Sequence, residues 1–568
     1  MKLSYIWIEE YKGFVNQGFN LCSEYTYEFS VKDKMLSRKK NDKYIKNFFG
    51  EDITDVKGII GKNASGKTNI LELIQYVVDG ANTIINKPFF VVVDIDEKSI
   101  VYNSKFSQIN YRHNVELKSY TGKLPNFDSI FFSNVFDGRR HNFTKKIINI
   151  STNDLLQSQF GENITKNYQK TIQQQITFIE SPQFYLLEEA EYNLDQQAEP
   201  KLRPSTVVIT SPLWSNISSR AKTFEERYVR LTGNNIGLRD FIKSFRRKIT
   251  DNKSSNAIKY LTAFLVYIDF IFNRDFLQYS LEDKNKSSDY FNRFFLPING
   301  DFRIDEIFSF FTNDFVKLID KRFNAFDTQK FLVDLIDYNF DDSVTADYKE
   351  DIGAYSNRRV QFTLNYNKNS GRFIKSYLDA VTNQSLSYSI EWAGISSGHK
   401  AYINLFANFY SAASQVKEES ILISIDEGDL YFHPKWQTEF LFKILQILPR
   451  LLKRNCQILI TTHSPFLVSD LPKSNLLFVE KNNDSTLSVM DNNKIDGETF
   501  GGNIGELYLD AFFMQGKLIS HFAAEKIQKI IEKVRNKVVL SREDQIIIAS
   551  IGDDLIRTQL EKLINDKN

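Results

Sequence analysis

The sequence predicts an α/β fold: a parallel sheet carrying a phosphate-binding loop, a large helical insertion and a helical C-terminal tail. Three observations predict it. The first is Gly61-Lys62-Asn63-Ala64-Ser65-Gly66-Lys67-Thr68, preceded by the strand-like Asp55 to Ile60 and followed by apolar residues at helical spacing from Asn69 to Val78. The second is a pair of apolar, β-branched runs that end in polar residues, Ile421 to Glu427 and Gln457 to His463. Such runs fit parallel strands covered on both faces. The third is a change of character between about Ser151 and Glu350, where Ile236 to Ile249, Ala257 to Phe272 and Ile304 to Phe323 carry apolar residues at helical spacing.

Composition bounds the class. The 568 residues suggest two or three units. Hydrophobic residues make up 42% and charged residues 25%, an ordinary globular balance. Lys and Arg total 72 against 71 Asp and Glu, so a nucleic-acid surface would have to be a local patch. Phe is abundant at 48 while Gly is 24 and Pro 11, which favours a core-rich, helical chain over a disordered one. Cys22 and Cys456 stand far apart and neither has a CxxC partner, which argues against a zinc ribbon or a disulfide framework and fits a reducing cytoplasm. Acids at Glu9 and Glu10 interrupt the N-terminal run too early for a signal peptide. No apolar run approaches the roughly 18 residues of a membrane span, so no membrane is expected. The most apolar window, Tyr260 to Phe272, is interrupted by Asp269 and reads as a buried helix.

In chain order, Leu3 to Ile8 alternate and predict a first strand; Tyr25 to Val31 predict a second. The polar run Lys32 to Asp52 reads as a surface loop. Phe89 to Ile95 and Ser129 to Ser133 predict further strands, rich in aromatic and β-branched residues. Residues 1-150 are the expected N-terminal lobe of a nucleotide-binding head, 151-350 the helical insertion, 351-480 the C-terminal lobe and 481-568 a C-terminal helical region. The insertion shows no sustained heptad and no internal repeat, which argues against a coiled-coil arm. Val360 to Tyr366 resume strand character, and Ala523 to Val534 and Asp554 to Ile564 are amphipathic helix candidates.

Each motif has a chemical and a bland reading. In the glycine loop, backbone N–H groups and the helix N-terminus can cradle phosphates. Lys67 would reach the β- and γ-phosphates, and the Thr68 hydroxyl would ligate Mg²⁺. The bland reading is a glycine loop with a chance lysine. Asp426 at a strand tip would hold the Mg²⁺ shell, with Glu427 orienting or deprotonating the attacking water; otherwise an apolar strand merely ends at a polar loop. Ser396-Ser397-Gly398-His399 opens the helical run Ala401 to Ala413, where it could meet a γ-phosphate or could be an ordinary N-cap. His463 could hydrogen-bond the γ-phosphate or be structural. Three of the six histidines, His399, His433 and His463, fall in or beside these motifs.

The four motifs in this order resemble the ABC-type ATPase heads. That resemblance implies an ATP- and Mg²⁺-dependent hydrolase. Gly61 to Thr68, with Asn69, match Walker A; Ser396, Ser397, Gly398 and His399 match the signature; Asp426 and Glu427 match Walker B; His463 matches the switch histidine. Ser396 lies too far beyond Gly61 for a transporter head. Asn63, the run Asp426 to Pro434 and Thr462-His463-Ser464-Pro465 look like the soluble subgroup of RecF-like repair proteins, OLD-type nucleases and anti-phage ATPases. The stretches Ser133-Asn134-Val135-Phe136-Asp137, Ser396 to Tyr402, Phe500 to Ile504 and Asp510-Ala511-Phe512-Phe513 are similar to Septu-type and retron-associated defence ATPases, which work with a separate HNH nuclease. The sequence departs from the pattern at Ser397, where transporters have glycine, and at His399, where the subgroup often has glutamate. Ser133 or Asn134 stands nearest to the glutamine-loop position.

The resemblance implies a homodimer or higher homo-oligomer with ATP between two heads, and an HNH-type nuclease partner in defence. A competing reading is a DNA-binding repair clamp, with nucleic acid as a partner; a third is a scaffold that binds ATP and hardly turns it over. No nuclease is expected in the chain itself. Glu480 could imitate the first acid of a Toprim site, but no Asp-x-Asp follows; Asp553-Asp554 read as the acidic first turn of a helix. His113-Asn114 and His141-Asn142 are too isolated to form an HNH site.

Overall fold

The computed structural model describes residues 1–79, 84–106, 109–112, 115–135, 141, 143, 147–157, 164–194, 203–233, 235–252, 256–272, 293–295, 302–319, 326–338, 340, 345–351, 357–381, 386–490, 497–510 and 520–565. Phe136, Asp137, His113, Asn114, Asn142, Ala511, Phe512 and Phe513 lie outside the described residues.

The strands are β1 Lys2–Tyr11, β2 Phe14–Asn20, β3 Tyr25–Ser30, β4 Met35–Lys40, β5 Ile53–Gly61, β6 Phe89–Ile95, β7 Lys98–Ser104, β8 Asn110–Tyr111, β9 Val115–Ser119, β10 Phe127–Ser133 and β11 Ile148–Asn149. After them come β12 Thr206–Thr210, β13 Thr345–Asp351, β14 Asn357–Asn365, β15 Ser389–Ala393, β16 Ser420–Asp426, β17 Asn455–Thr461, β18 Leu476–Lys481 and β19 Leu487–Val489. A 12-stranded sheet runs β11-β10-β16-β17-β5-β18-β19-β2-β1-β6-β7-β9. Its central strands β10, β16, β17, β5 and β18 are mutually parallel. The β1–β2 and β1–β6 pairs are antiparallel.

Burial explains the parallel centre. Along β5, Val56 and Ile60 enter one core and Ile59 enters the other, so both faces are covered. Helix Lys67–Asp79 packs its Ile70, Leu71, Leu73 and Ile74 on the second face. β1 is likewise buried on both sides. Leu3, Ile6 and Ile8 face one core, and Tyr5 and Trp7 face a separate aromatic cluster. A register shift between Leu3 and Tyr5 lets Leu3 and Ile6, three positions apart, share a face.

Several expectations are corrected. The polar run Lys32 to Asp52 is not wholly a loop, because β4 pairs with β3 within it. The strand β2 lies where no strand was predicted; a two-residue hairpin joins it to β1 through Lys12 (φ 42°) and Gly13 (φ 94°). Only Phe14 and Phe19 of β2 are buried, while Val15 and Asn16 are exposed, so β2 lacks an alternating apolar signature. The middle stretch is helical over Trp214–Thr232, Leu238–Asp251 and Ala257–Ile271, but it also contributes β12 and β13 to a four-stranded antiparallel sheet, β13-β14-β12-β15. That sheet is assembled from strands far apart in sequence, which a local pattern cannot reveal. Beyond Ile304 the helix is interrupted by a π-type turn at Phe310–Asp314 and ends at Leu318. At the C-terminus, helices His521–Arg535, Arg542–Ala549 and Asp554–Asn565 enclose a small core of their own around Ile530, Val534, Ile548 and Leu560.

Candidate functional site

Register brings the motifs together. In the parallel ladder Ser133 pairs with Asp426, Asp426 with Thr461, Thr461 with Ile59, and Val479 with Gly61. The carboxyl ends of five neighbouring strands, β10, β16, β17, β5 and β18, therefore meet where helix Lys67–Asp79 begins. Open parallel sheets bind ligands at this edge.

The glycine loop is shaped around small residues. Gly66 has φ +92°, and a Cβ there would lie 2.5 Å from Leu487 Cδ1. A Cβ at Gly61 would lie 2.3 Å from the Val479 carbonyl oxygen. Ala64 also adopts a left-handed backbone, φ 61°. The Ser65 amide donates to the Lys62 carbonyl (3.2 Å), while the buried Ser65 hydroxyl has no partner among the described residues. Lys67 Nζ donates to the Gly61 carbonyl (3.0 Å) and the Lys62 carbonyl (3.4 Å). Burial lowers the Lys67 pKa; the negative charges of Glu427 and Asp426 oppose that shift. An ammonium with two carbonyl partners, an orphan hydroxyl and a helix N-terminus suit a polyphosphate anion.

Asp426 is the hub. It accepts from Thr461 Oγ1 (2.6 Å), Thr68 Oγ1 (3.2 Å) and Ser133 Oγ (3.3 Å). Burial raises its pKa, and the Thr461 and Thr68 hydroxyls pull it back down. Among the described residues no cluster of three His, Cys, Asp or Glu forms an all-protein metal cage. The Thr68 hydroxyl and Asp426 carboxylate are instead the two-ligand oxygen set that suits Mg²⁺, which prefers to keep water and phosphate in its remaining positions.

Glu427 follows on a left-handed backbone, φ 49°. Its N–H donates both to the Thr461 carbonyl (3.2 Å) and to the Thr461 hydroxyl oxygen (3.0 Å). A non-glycine residue in that conformation marks a position constrained by its surroundings. His463 Nε2 lies 3.4 Å from Glu427 Oε1. The flanking residues hold this loop: Thr462 Oγ1 donates to Asp429 (2.8 Å), the Ser464 amide donates to Thr462 Oγ1 (2.8 Å), and Ser464 Oγ donates to Gln437 (2.9 Å).

The serine-glycine turn forms a second locus. Ser396 caps helix Ser397–Ala413, accepting from the His399 amide (3.2 Å). The buried His399 ring meets Trp436 edge-on with centroids 5.8 Å apart, and a Cβ at Gly398 would lie 3.4 Å from the same indole. Ser396 is thus an N-cap in the structure, whatever further contact it makes. Ser133 and Asn134 both reach the end of β16, Ser133 through its hydroxyl and Asn134 through its amide to the Asp426 carbonyl (3.3 Å). Asp553 caps the last helix by accepting from the Ile556 amide (3.0 Å).

Sequence reading missed the polar props beneath the site. Gln75 Nε2 donates to Ser424 Oγ (2.8 Å) and Gln75 Oε1 accepts from Ser129 Oγ (2.5 Å), tying the helix to β16 and β10. Glu72 binds Lys12 of the hairpin and His141 Nδ1 (2.9 Å). Their signal is two polar side chains, Glu72 and Gln75, on buried positions of an otherwise apolar helix face. Such groups persist only when bonded.

No described helix is long and apolar enough to cross a membrane. Over 54 residues the chain is 44% identical to the Septu protein PtuA of Bacillus thuringiensis, a stretch that is 10% of this chain and 12% of that protein. The chain thus spans about an eighth of the length of that curated relative. Residues 57–469 match the family described as "AAA domain, putative AbiEii toxin, Type IV TA system". That match runs from the glycine-loop strand past His463 and covers more than half of the chain, so the protein belongs to this family of AAA ATPases.

Proposed function

We propose that this ATPase hydrolyses ATP between two copies of itself and uses that cycle to control a separate nuclease, of HNH type, in anti-phage defence. The observation that carries the reading is the convergence of Thr68, Thr461 and Ser133 on Asp426, with Glu427 and His463 beside them. In this reading residues 1–150 and 351–480 form the ATPase head, 151–350 the insertion and 481–568 the tail. Lys67 binds the β- and γ-phosphates. Thr68 and Asp426 hold Mg²⁺, which neutralises phosphate charge when bound. Glu427 takes a proton from the attacking water, and His463 keeps its carboxylate aimed. The turn Ser396 to Gly398 comes from the second copy and closes the γ-phosphate side, giving a two-fold pair with two nucleotides at the interface. The short likeness to a Septu protein supports the defence setting and a partner protein.

The test is complementation between two dead chains. Gly398→Glu should bind ATP but neither pair nor hydrolyse it; Lys67→Ala should fail to bind. Each mixed dimer keeps one complete composite site, so mixing should restore part of the turnover. Normal pairing and hydrolysis by Gly398→Glu alone would leave Ser396 as a helix cap and nothing more. Co-purification of an HNH protein encoded beside this chain, lost on deleting residues 520–565 or on trapping the ATP state, would test the partner.

A further inference from the structure

The chain as a whole is almost neutral, with a net charge of +1. Its charge is not evenly spread. Residues 214–251 hold nine Lys and Arg against four Asp and Glu. They form two helices, Trp214–Thr232 and Leu238–Asp251, joined by a short glycine-bounded turn. Buried Glu225 stitches them together, accepting from the Leu238 amide (3.0 Å) and from Arg239 Nε (2.6 Å).

The second helix is sharply two-faced. Phe241, Ile242, Phe245 and Ile249 are buried in the main core. Arg239, Lys243, Arg246 and Arg247 recur at i, i+4, i+7 and i+8 on the other side; Arg239, Lys243 and Arg247 are exposed and Arg246 half-buried. On the first helix Arg227 and Arg230 are exposed as well. The acids that temper this face are Glu226, Asp240 and Asp251, and Asp240 is 3.6 Å from Lys243.

We infer that this outer face of the insertion binds the phosphate backbone of double-stranded nucleic acid. Row spacing supports a backbone: Arg239 to Arg247 spans about 12 Å along the helix, the reach of several phosphates of one strand. Single strands are held by stacking on exposed aromatic rings, and none of the exposed large aromatic side chains lies within 214–251. A membrane surface would need the apolar face of the helix, which here is spent in the core. The surface is independent of the phosphate loop, so it stands or falls apart from the ATPase cycle.

The test is equilibrium binding of the full chain to blunt duplexes of DNA and of RNA, across salt from about 50 to 200 mM. Wild type should bind, with affinity falling steeply in salt; the two duplex arms tell which nucleic acid is preferred. Arg230→Gln/Lys243→Gln/Arg247→Gln removes three exposed charges and leaves the Glu225–Arg239 stitch intact. It should weaken binding about tenfold or more and flatten the log–log salt slope by about two to three. Lys39→Gln/Lys40→Gln, on β4, should leave both unchanged. No duplex binding by wild type at low salt, an unaltered slope in the triple variant, or an equal loss in the β4 variant would overturn the inference. So would displacement of the duplex by poly-glutamate at equal charge.

Discussion

His463 Nε2 lies 3.4 Å from Glu427 Oε1, joining the ends of two neighbouring parallel strands at the mouth of the glycine loop. Glu427 presents its carboxylate from a left-handed backbone, so the pair is held by main-chain geometry as well as by the side chains. Glu427→Gln keeps size and hydrogen bonding and removes the carboxylate proposed above as the base. It should retain ATP binding while turnover falls by about 10²- to 10⁴-fold. Steady-state phosphate release within a few-fold of wild type would remove Glu427 from the chemistry.

If His463 acts through Glu427, the two losses should not add. His463→Ala should slow turnover in the wild-type background and change little in Glu427→Gln. A double-mutant cycle on kcat measures this directly. Full additivity would mean that His463 acts on its own.

Thr461 supports both acids: its hydroxyl is 2.6 Å from Asp426 Oδ1 and 3.0 Å from the Glu427 amide. Thr461→Val keeps the volume and withdraws the donor from a buried carboxylate. The expected cost is about 1–3 kcal/mol of stability, together with weaker Mg²⁺-dependent nucleotide binding. Denaturant unfolding and nucleotide titration with and without Mg²⁺ report the two effects separately, and unchanged values in both would refute the role.

Gly66→Ala should be harmful for two reasons, the φ of +92° and the 2.5 Å approach to Leu487 Cδ1. Leu487→Ala would relieve the contact and leave the backbone strain. We therefore expect Gly66→Ala to lose nucleotide binding and Leu487→Ala to restore it only in part. Full restoration would show that the contact alone matters.

Asp470 follows the short helix Pro465–Ser469, and burial raises its carboxyl to about 6. A carboxyl whose folded pKa lies above its unfolded value binds more protons when native, so its stability penalty is complete above about pH 6 and fades as pH falls toward about 4. Asp470→Asn should therefore raise the melting temperature near neutral pH, with the gain shrinking through that window. A gain that is constant with pH would assign the effect to something other than ionisation.

Local chemistry was enough for much of this protein. The glycine loop, the apolar strand ending in Asp426 and Glu427, and the strand ending in Thr461 are short runs whose residues encode their own conformation, so β5, β16 and β17 and the helix Lys67–Asp79 were legible in the sequence. The helices Leu238–Asp251 and Ala257–Ile271 and the last helix were legible for the same reason, since apolar spacing of about 3.6 needs no distant partner. Tertiary structure alone decided which ends meet. Nothing local says that β17 inserts between β5 and β16, yet that order puts Thr461 on Asp426 and His463 on Glu427. Nor does any local pattern pair β12 with β14 and β15, or join Lys12 and His141 on Glu72, because these contacts bridge residues far apart in the chain. Strand pairing and buried polar bonds are satisfied by whichever partner the fold brings near, so their chemistry becomes readable only once the chain has folded.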